Sequence, residues 1–323
     1  MSNAIRFHTY GGPEVLQWQP QVVGDPGPRQ VRVRHSAIGL NFFDVYERKG
    51  LYPVRLPAIP GREAAGIVEA IGTRVTGLAV GDRVAYVANE SGSYAQQRII
   101  DADRVVRLPD FIGDRQAAAI MLKGLTAHML LRQTWRIRKS DTMLLHAAAG
   151  GVGLLTVQWA KRLGAKVIAV VGRQEKVEAV RNAGADHVLL LSEDWVARAK
   201  AITRGRGVNV VYDSVGKDTF EASLDCLRAR GMMVSFGNSS GAVPPVAPLE
   251  LARRGSLYLT RPTLFHYIAT HRALQRATAE LFRMMKDGAI DPHIGQTYAL
   301  QDAARAHADL ESRRTTGSTI LLP

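Results

Sequence analysis

The chain has 323 residues, and its 42 lysines and arginines outweigh 29 acidic residues to leave a formal net charge of +13. With 46% hydrophobic and 22% charged residues it has the makeup of a soluble globular protein, long enough for about two domains. A single cysteine, Cys226, excludes an internal disulfide and a zinc site built from several thiolates, and 14 prolines without a Pro/Gly-rich block exclude a collagenous or low-complexity chain.

The arginines are spread along the chain, so most of the charge reads as solvated surface; no nucleic-acid partner is expected, although the charge permits one. Residues 1–14 carry no apolar signal-peptide core, and a cytoplasmic location is expected. Residues 143–160 are nearly uncharged, but they hold His146, Gln158 and three glycines. They read as a strand, a glycine turn and a buried helix, so no membrane association is expected.

The first 110 residues read as strands and turns. Residues 30–37 set Val31, Val33 and His35 against Arg32 and Arg34, which predicts a half-buried strand. Further strands are predicted at 63–72, 83–87 and 94–100, punctuated by Gly77 and Gly81-Asp82. Asn41-Phe42-Phe43-Asp44-Val45-Tyr46 and Gly50-Leu51-Tyr52-Pro53 make a polar and aromatic cluster within this unit. It reads two ways. Asn41, Asp44, Tyr46 and Tyr52 can be the candidate catalytic groups of a pocket for a flat aromatic substrate, or the segment can be a helical turn with its aromatics in the core.

From about residue 115 the texture changes. Residues 116–133 are helix-like. Strands at 142–147, 166–171, 187–191, 208–214 and 231–236 then alternate with helices at 151–163, 175–183, 193–203 and 219–228. Short β-branched runs between amphipathic segments predict βαβ units and a parallel sheet. Beyond Gly255 a strand at 256–260, helices at 270–286 and 303–312 and a strand at 319–322 break that rhythm. This tail is too short and mixed to stand alone. The expected class is therefore α/β: a mostly-β catalytic domain over residues 1–125, a doubly wound parallel-sheet domain over 126–260, and a return of 261–323 to the first.

Ala148-Ala149-Gly150-Gly151-Val152-Gly153 follows an apolar strand and opens a helix. Small residues permit the tight turn, Gly150, Gly151 and Val152 bring backbone N–H groups to a pyrophosphate, and Gly153 permits close helix–strand packing. A dinucleotide is the expected ligand. An NAD site carries an acid about 20 residues past the glycines, at the end of the next strand. Here that place holds Arg173. Gly172 makes room, and Arg173 with Lys176 suits a 2′-phosphate through charge-assisted hydrogen bonds, so NADPH is expected over NADH. Nothing resembles a second phosphate-binding turn for a flavin. Cys226 reads as a small buried apolar residue. The nine histidines show no HxxH or HExxH spacing, and no metal is expected.

Taken together these strings resemble the zeta-crystallin-like NADPH:quinone oxidoreductases, the zinc-free quinone oxidoreductase branch of the medium-chain dehydrogenase/reductase superfamily. The resemblance runs through Gly11-Gly12-Pro13-Glu14-Val15-Leu16, residues 37–46, Gly50-Leu51-Tyr52-Pro53, Leu122-Lys123-Gly124-Leu125-Thr126 and residues 146–153. It continues through Val211-Tyr212-Asp213-Ser214-Val215-Gly216 and Phe236-Gly237-Asn238-Ser239-Ser240-Gly241, and so covers nearly the whole chain. It implies a GroES-like catalytic domain, a Rossmann domain, and NADPH in the cleft between them. It implies that Asn41 lies near the nicotinamide, with Asp44, Tyr46 and Tyr52 around the substrate. It assigns Gly172, Arg173 and Lys176 to the adenosine phosphate with Arg313 at the same end, and Phe236 and Asn238 to the nicotinamide half. Phe42, Thr126 and Ser214 join the cofactor set. A homodimer through the Rossmann sheet edge is implied as well.

The chain departs from zinc-containing relatives where they carry a Cys and a Gly-His-Glu. The matching positions here are Asn41 and Gly61-Arg62-Glu63. It departs from close bacterial relatives at Leu191, where they tend to carry a tyrosine near the adenosine phosphate. The activity implied is metal-free transfer of reducing equivalents from NADPH to a quinone. The alternatives are NADPH-dependent reduction of an enone or alkenal double bond, with Tyr46, Tyr52 and Phe265 shaping the pocket, and an RNA-binding or structural protein with a vestigial cofactor site.

Overall fold

A computed structural model describes residues 2–323, which divide into two compact units. The first holds the chain up to Lys123 together with Ile268–Glu280 and Pro292–Pro323. The second holds Gly124–Tyr267 and Leu281–Asp291.

The first unit is built on a seven-stranded mixed sheet and a separate antiparallel pair, Ser2–Arg6 with Gln17–Gln21. Gln30–Leu40 is its central strand. It pairs antiparallel with Glu63–Ile71, Gln97–Asp101 and Ser318–Leu322. The alternation predicted for it holds: Val31, Val33 and His35 are buried while Arg32 and Arg34 are not. The strand runs three residues past the predicted end, because Ile38, Gly39 and Leu40 pair with the last strand of the chain. Ile294–Ala299 pairs parallel with that last strand, so the tail completes this sheet. A core of Val31, Val33, Ile38, Val68, Val84 and Tyr86 fills one face. Each such buried aliphatic side chain contributes roughly 1.5–3 kcal/mol.

The second unit carries a six-stranded parallel sheet. In chain order its strands are Thr142–Leu145, Lys166–Val171, His187–Leu190, Val208–Asp213, Leu227–Ser235 and Tyr258–Thr260. Their spatial order is third, second, first, fourth, fifth, sixth. That is the doubly wound arrangement, and its switch point falls between Thr142–Leu145 and Val208–Asp213. Val167 to Val171 are all buried, as expected for a strand covered on both faces. Trp195, Phe220 and Leu224 pack onto Leu144, Ile168 and Val211. Cys226 is buried with them, and burial pushes its thiol up to about 12.

Two predicted boundaries fail for physical reasons. The helix predicted over 219–228 spans only Phe220–Asp225, and the following strand begins at Leu227. Val208 pairs with Leu227 but Val210 with Met232, so residues 228–231 bulge out of the ladder, with Arg230 at a φ of 59°. A bulge that carries Arg228 and Arg230, with Ala229 and Arg230 exposed, imitates a polar helix end in sequence. The helix predicted over 116–133 starts at Asp114 and finishes as a wider π turn over Met129–Thr134. The apolar run at 143–160 divides into the strand, the turn and the helix Gly151–Arg162, and no helix among the described residues is long and apolar enough to cross a membrane.

Candidate functional site

The turn after Thr142–Leu145 is shaped by backbone alone. Ala147 takes a φ of 51°, unusual for a residue with a side chain, and its carbonyl accepts the Gly150 N–H at 3.0 Å. A Cβ at Gly153 would sit 2.6 Å from that same carbonyl oxygen, so only glycine lets the helix Gly151–Arg162 start this close to the turn. The free N–H groups and positive end of a twelve-residue helix thus face the switch point.

Across the switch point the end of Val208–Asp213 is held by one carboxylate. Asp213, fully buried, accepts the backbone N–H groups of Val215 and Gly216 through Oδ1 and the hydroxyls of Thr219 and Ser223 through Oδ2. His146 packs on Trp195 and hydrogen-bonds Ser223, with burial pushing its imidazole down. The turn so fixed presents Ser214, partly exposed, and Gly237 lies against it so tightly that a Cβ would collide with the Ser214 carbonyl. Phe236 and Asn238 flank Gly237 and are partly exposed. Thr126 is buried.

At the end of Lys166–Val171, Gly172 and Arg173 are exposed, and nothing lies within 4 Å of where a Cβ on Gly172 would be. Arg173 lies 3.6 Å from Glu175. Partial burial, and then the charge of Arg173, push the Lys176 ammonium below its usual value. Two cations crowded at an open strand end suit a dianion. Arg313 belongs to the first unit, exposed in a turn with a φ of 59°.

In the first unit the cluster around Asn41 forms a short helix, Phe42–Arg48. Both readings of that cluster are visible in it. Tyr46 and Tyr52 meet edge to face at 5.3 Å, Phe43 and Tyr52 lie 5.0 Å apart, and Phe42 lies 6.2 Å from Tyr46. Phe42, Phe43 and Tyr52 are only partly buried, whereas Tyr46 is buried. The Arg62 guanidinium stacks over Phe43 at 4.0 Å and pairs with Glu47.

Asp44 lies deeper than a pocket wall. It is fully buried, and its Oδ2 accepts the Asn41 backbone N–H at 2.9 Å and the Tyr94 hydroxyl at 3.0 Å, while Oδ1 finds no partner among the described residues. Tyr94 also meets His307 Nε2, and Arg48 meets His307 Nδ1 and pairs with Glu311. Burial, and then the charge of Glu47, push the Asp44 carboxyl up to about 7.

Asn41 leads to a second buried group that the sequence reading passed over. Its Nδ2 donates to Glu63 Oε1 at 2.8 Å, and Lys123 Nζ donates to the same oxygen at 2.9 Å. The Leu122 backbone N–H donates to Oε2 at 2.6 Å. Glu63 and Lys123 are both buried. A signal for them exists: each is a lone charge in an apolar run, Glu63 opening EAAGIV and Lys123 inside AIMLKGLTA, and such charges stay buried only when paired. These residues do not suit a zinc ion. Asn41 offers a carboxamide, Arg62 is a cation paired with Glu47, and Glu63 is engaged by three N–H donors.

Residues 27–110 match the family described as alcohol dehydrogenase GroES-like domain, and residues 151–286 the family described as zinc-binding dehydrogenase. The chain is 52% identical to a quinone oxidoreductase of Pseudomonas aeruginosa, with each chain covered in full. It is 42% identical to a 2-haloacrylate reductase of Burkholderia sp, across 100% of this chain and 99% of that one. The crystal structure of Escherichia coli quinone oxidoreductase complexed with NADPH superposes with a TM-score of 0.98 at 50% identity, covering 99% of this chain and 100% of that one.

The buried network gives a pH dependence with a definite sign. Burial pushes His35 down to about 4, and burial with the charge of Arg48 pushes His307 down to about 3. In the unfolded chain both take up protons near 6.5. Their contribution is therefore whole above pH 6.5 and is lost as pH falls from there toward 4 and 3. Asp44 works the other way: its folded value of about 7 lies above the unfolded 3.8, so its contribution is whole below 3.8 and is lost as pH rises toward 7. Two imidazoles outweigh one carboxyl, and stability falls with acidification below pH 6.5. In denaturant unfolding between pH 6.5 and 4.5, His307→Asn is expected to shrink that slope by up to about 1.4 kcal/mol per pH unit. An unchanged slope would show that His307 is already charged in the folded protein.

Proposed function

The chain belongs to the quinone oxidoreductases of the medium-chain dehydrogenase/reductase superfamily, and we propose that it reduces a quinone with NADPH and without a metal. The observation that carries the choice of nucleotide is the open strand end with Gly172, Arg173 and Lys176 and no free acid. Bound there, NADPH supplies the hydride. The protein's own residues bind and orient. The turn 147–153 and the helix behind it hold the pyrophosphate, and Arg173 and Lys176 hold the 2′-phosphate, with Arg313 assigned to the same end of the cofactor and Thr126 to the cofactor set. Ser214, Phe236 and Asn238, on turns locked by Asp213 and Gly237, orient the nicotinamide half, with Phe42 beside Asn41.

Tyr46 and Tyr52, set edge to face, supply aromatic walls against which a quinone ring packs. The Asn41 carboxamide and the tyrosine hydroxyls donate toward the acceptor oxygen as it gains charge. Asp44 holds the Asn41 backbone and Tyr94. One relative is named for a different acceptor, a 2-haloacrylate, and the assay below includes that compound as a competitor to the quinones.

We also propose a homodimer in the cytoplasm. Tyr258–Thr260 is an edge strand of the parallel sheet, and its Tyr258 and Leu259 are 56% and 37% exposed, which is an unusual liability for an edge left bare. Leu259→Arg is expected to halve the mass seen by light scattering; an unchanged mass would place the interface elsewhere or remove it.

The function is tested by following nicotinamide absorbance with NADPH or NADH against para-quinones, ortho-quinones, enones and a 2-haloacrylate. NADPH oxidation with quinones is expected. Reaction confined to enones or the haloacrylate would overturn the substrate class. Arg173→Ala is expected to raise the KM for NADPH roughly 10- to 100-fold, the worth of a charge-assisted contact, and to leave NADH unchanged. Equal effects on both nucleotides would contradict the phosphate assignment.

A further inference from the structure

Three donors converge on the two oxygens of Glu63: Asn41 Nδ2 and Lys123 Nζ on Oε1, and the Leu122 N–H on Oε2. Leu122 offers a backbone group held in the helix Asp114–His128, so Oε2 has no choice of partner. Lys123 has no acceptor atom at all. Oε1 must therefore face donors, and a carboxamide next to it must turn its nitrogen inward. Glu63 reaches this position because residue 39 is glycine; a Cβ there would collide with Glu63 Oε1 and with the Ala118 carbonyl. Glu63 itself is 0% exposed, so bulk solvent does not reach it.

We propose that Lys123 and Glu63 are positioning residues that set which way the Asn41 carboxamide points, its nitrogen toward Glu63 and its second N–H left for the acceptor oxygen. This rests on the reading of Asn41 given above. Lys123 supplies the buried cation, Glu63 transmits the polarity, and Asn41 alone meets the reacting groups. Neither Lys123 nor Glu63 needs to touch substrate for the effect to hold.

The decisive variant is Lys123→Met/Glu63→Gln, which removes both charges together. The Leu122 N–H still demands an acceptor, so the carboxamide introduced at position 63 turns its oxygen to it and its nitrogen to Asn41. The Asn41 carboxamide then flips to meet that nitrogen with its oxygen. Three quantities are measured: Tm, NADPH affinity by fluorescence, and steady-state kinetics with 1,4-benzoquinone. The expected result is a folded protein with NADPH affinity and quinone KM within about twofold of the wild type and kcat lowered about 10- to 100-fold, the range for an interaction made only in the transition state. A kcat equal to the wild type in a folded double variant overturns the proposal and leaves the pair a purely structural one.

Asn41→Ala run in parallel separates the two layers. If it turns over like the wild type, the role of Asn41 fails and the proposal with it. If it is slow while the double variant is fast, the role of Asn41 stands and the positioning fails. Should the double variant not fold, the wild type decides by NMR. The side-chain amide signal of Asn41, identified by its loss in Asn41→Ala, is expected to exchange with solvent at least about tenfold more slowly than a free carboxamide, because one proton is held by Glu63. Exchange at the free rate overturns the proposal.

Discussion

A buried carboxylate that receives three N–H donors organises the first unit of this protein. Glu63 opens a central strand, and its charge is met by Lys123 from a helix, Asn41 from the end of the neighbouring strand and the Leu122 backbone. A buried ion pair is costly to assemble and about 3–5 kcal/mol more costly to break than to keep, since breaking it strands one charge in an apolar core. The neighbouring sequence is bent to suit. Residue 39 is glycine because the carboxylate lies against its α-carbon, and the strand Gln30–Leu40 extends beyond its alternating part to bring Asn41 to this point. Asn41 then starts the helix Phe42–Arg48, whose aromatic side chains gather beside it.

The second unit uses the same device with neutral partners. Asp213 meets two backbone N–H groups and two hydroxyls, so the turn beyond its strand is rigid before any ligand arrives. The facing turn at 147–153 is rigid for steric reasons, through Ala147 in the left-handed region and Gly153 against its carbonyl. Two preformed turns at the switch point of a parallel sheet would reduce the ordering cost of the dinucleotide binding proposed there. At the far end, where we propose that the 2′-phosphate binds, burial and then the charge of Arg173 lower the Lys176 ammonium.

The sequence was most legible where period and glycine chemistry act locally. The parallel strands and their helices appear where the apolar runs put them, and the glycine turn and Arg173 lie at the ends of their strands. It was least legible where tertiary pairing decides. The strands Ser2–Arg6, Gln17–Gln21 and Ile294–Ala299 have no clear alternation and exist because of what they pair with. The bulge at 228–231 reads as a helix end, and Tyr94, His307 and Arg48 come together only in three dimensions, 213 and 259 residues apart in the pairs they form. Glu63 and Lys123 left a trace as lone charges in apolar runs, but their shared partner Asn41 could not be seen from spacing.

The Glu63 carboxylate is met by protein groups, Lys123, Asn41 and the Leu122 backbone, and we propose that the reaction needs no metal beside them. The most direct measurement is the rate of NADPH oxidation by a quinone after exhaustive treatment with a chelator, and again after zinc is restored. Because Asn41, Arg62 and Glu63 are already engaged by protein groups, the rate is predicted to be the same before chelation, after it, and with zinc restored. A rate that collapses on chelation and returns with zinc would contradict the account at its centre.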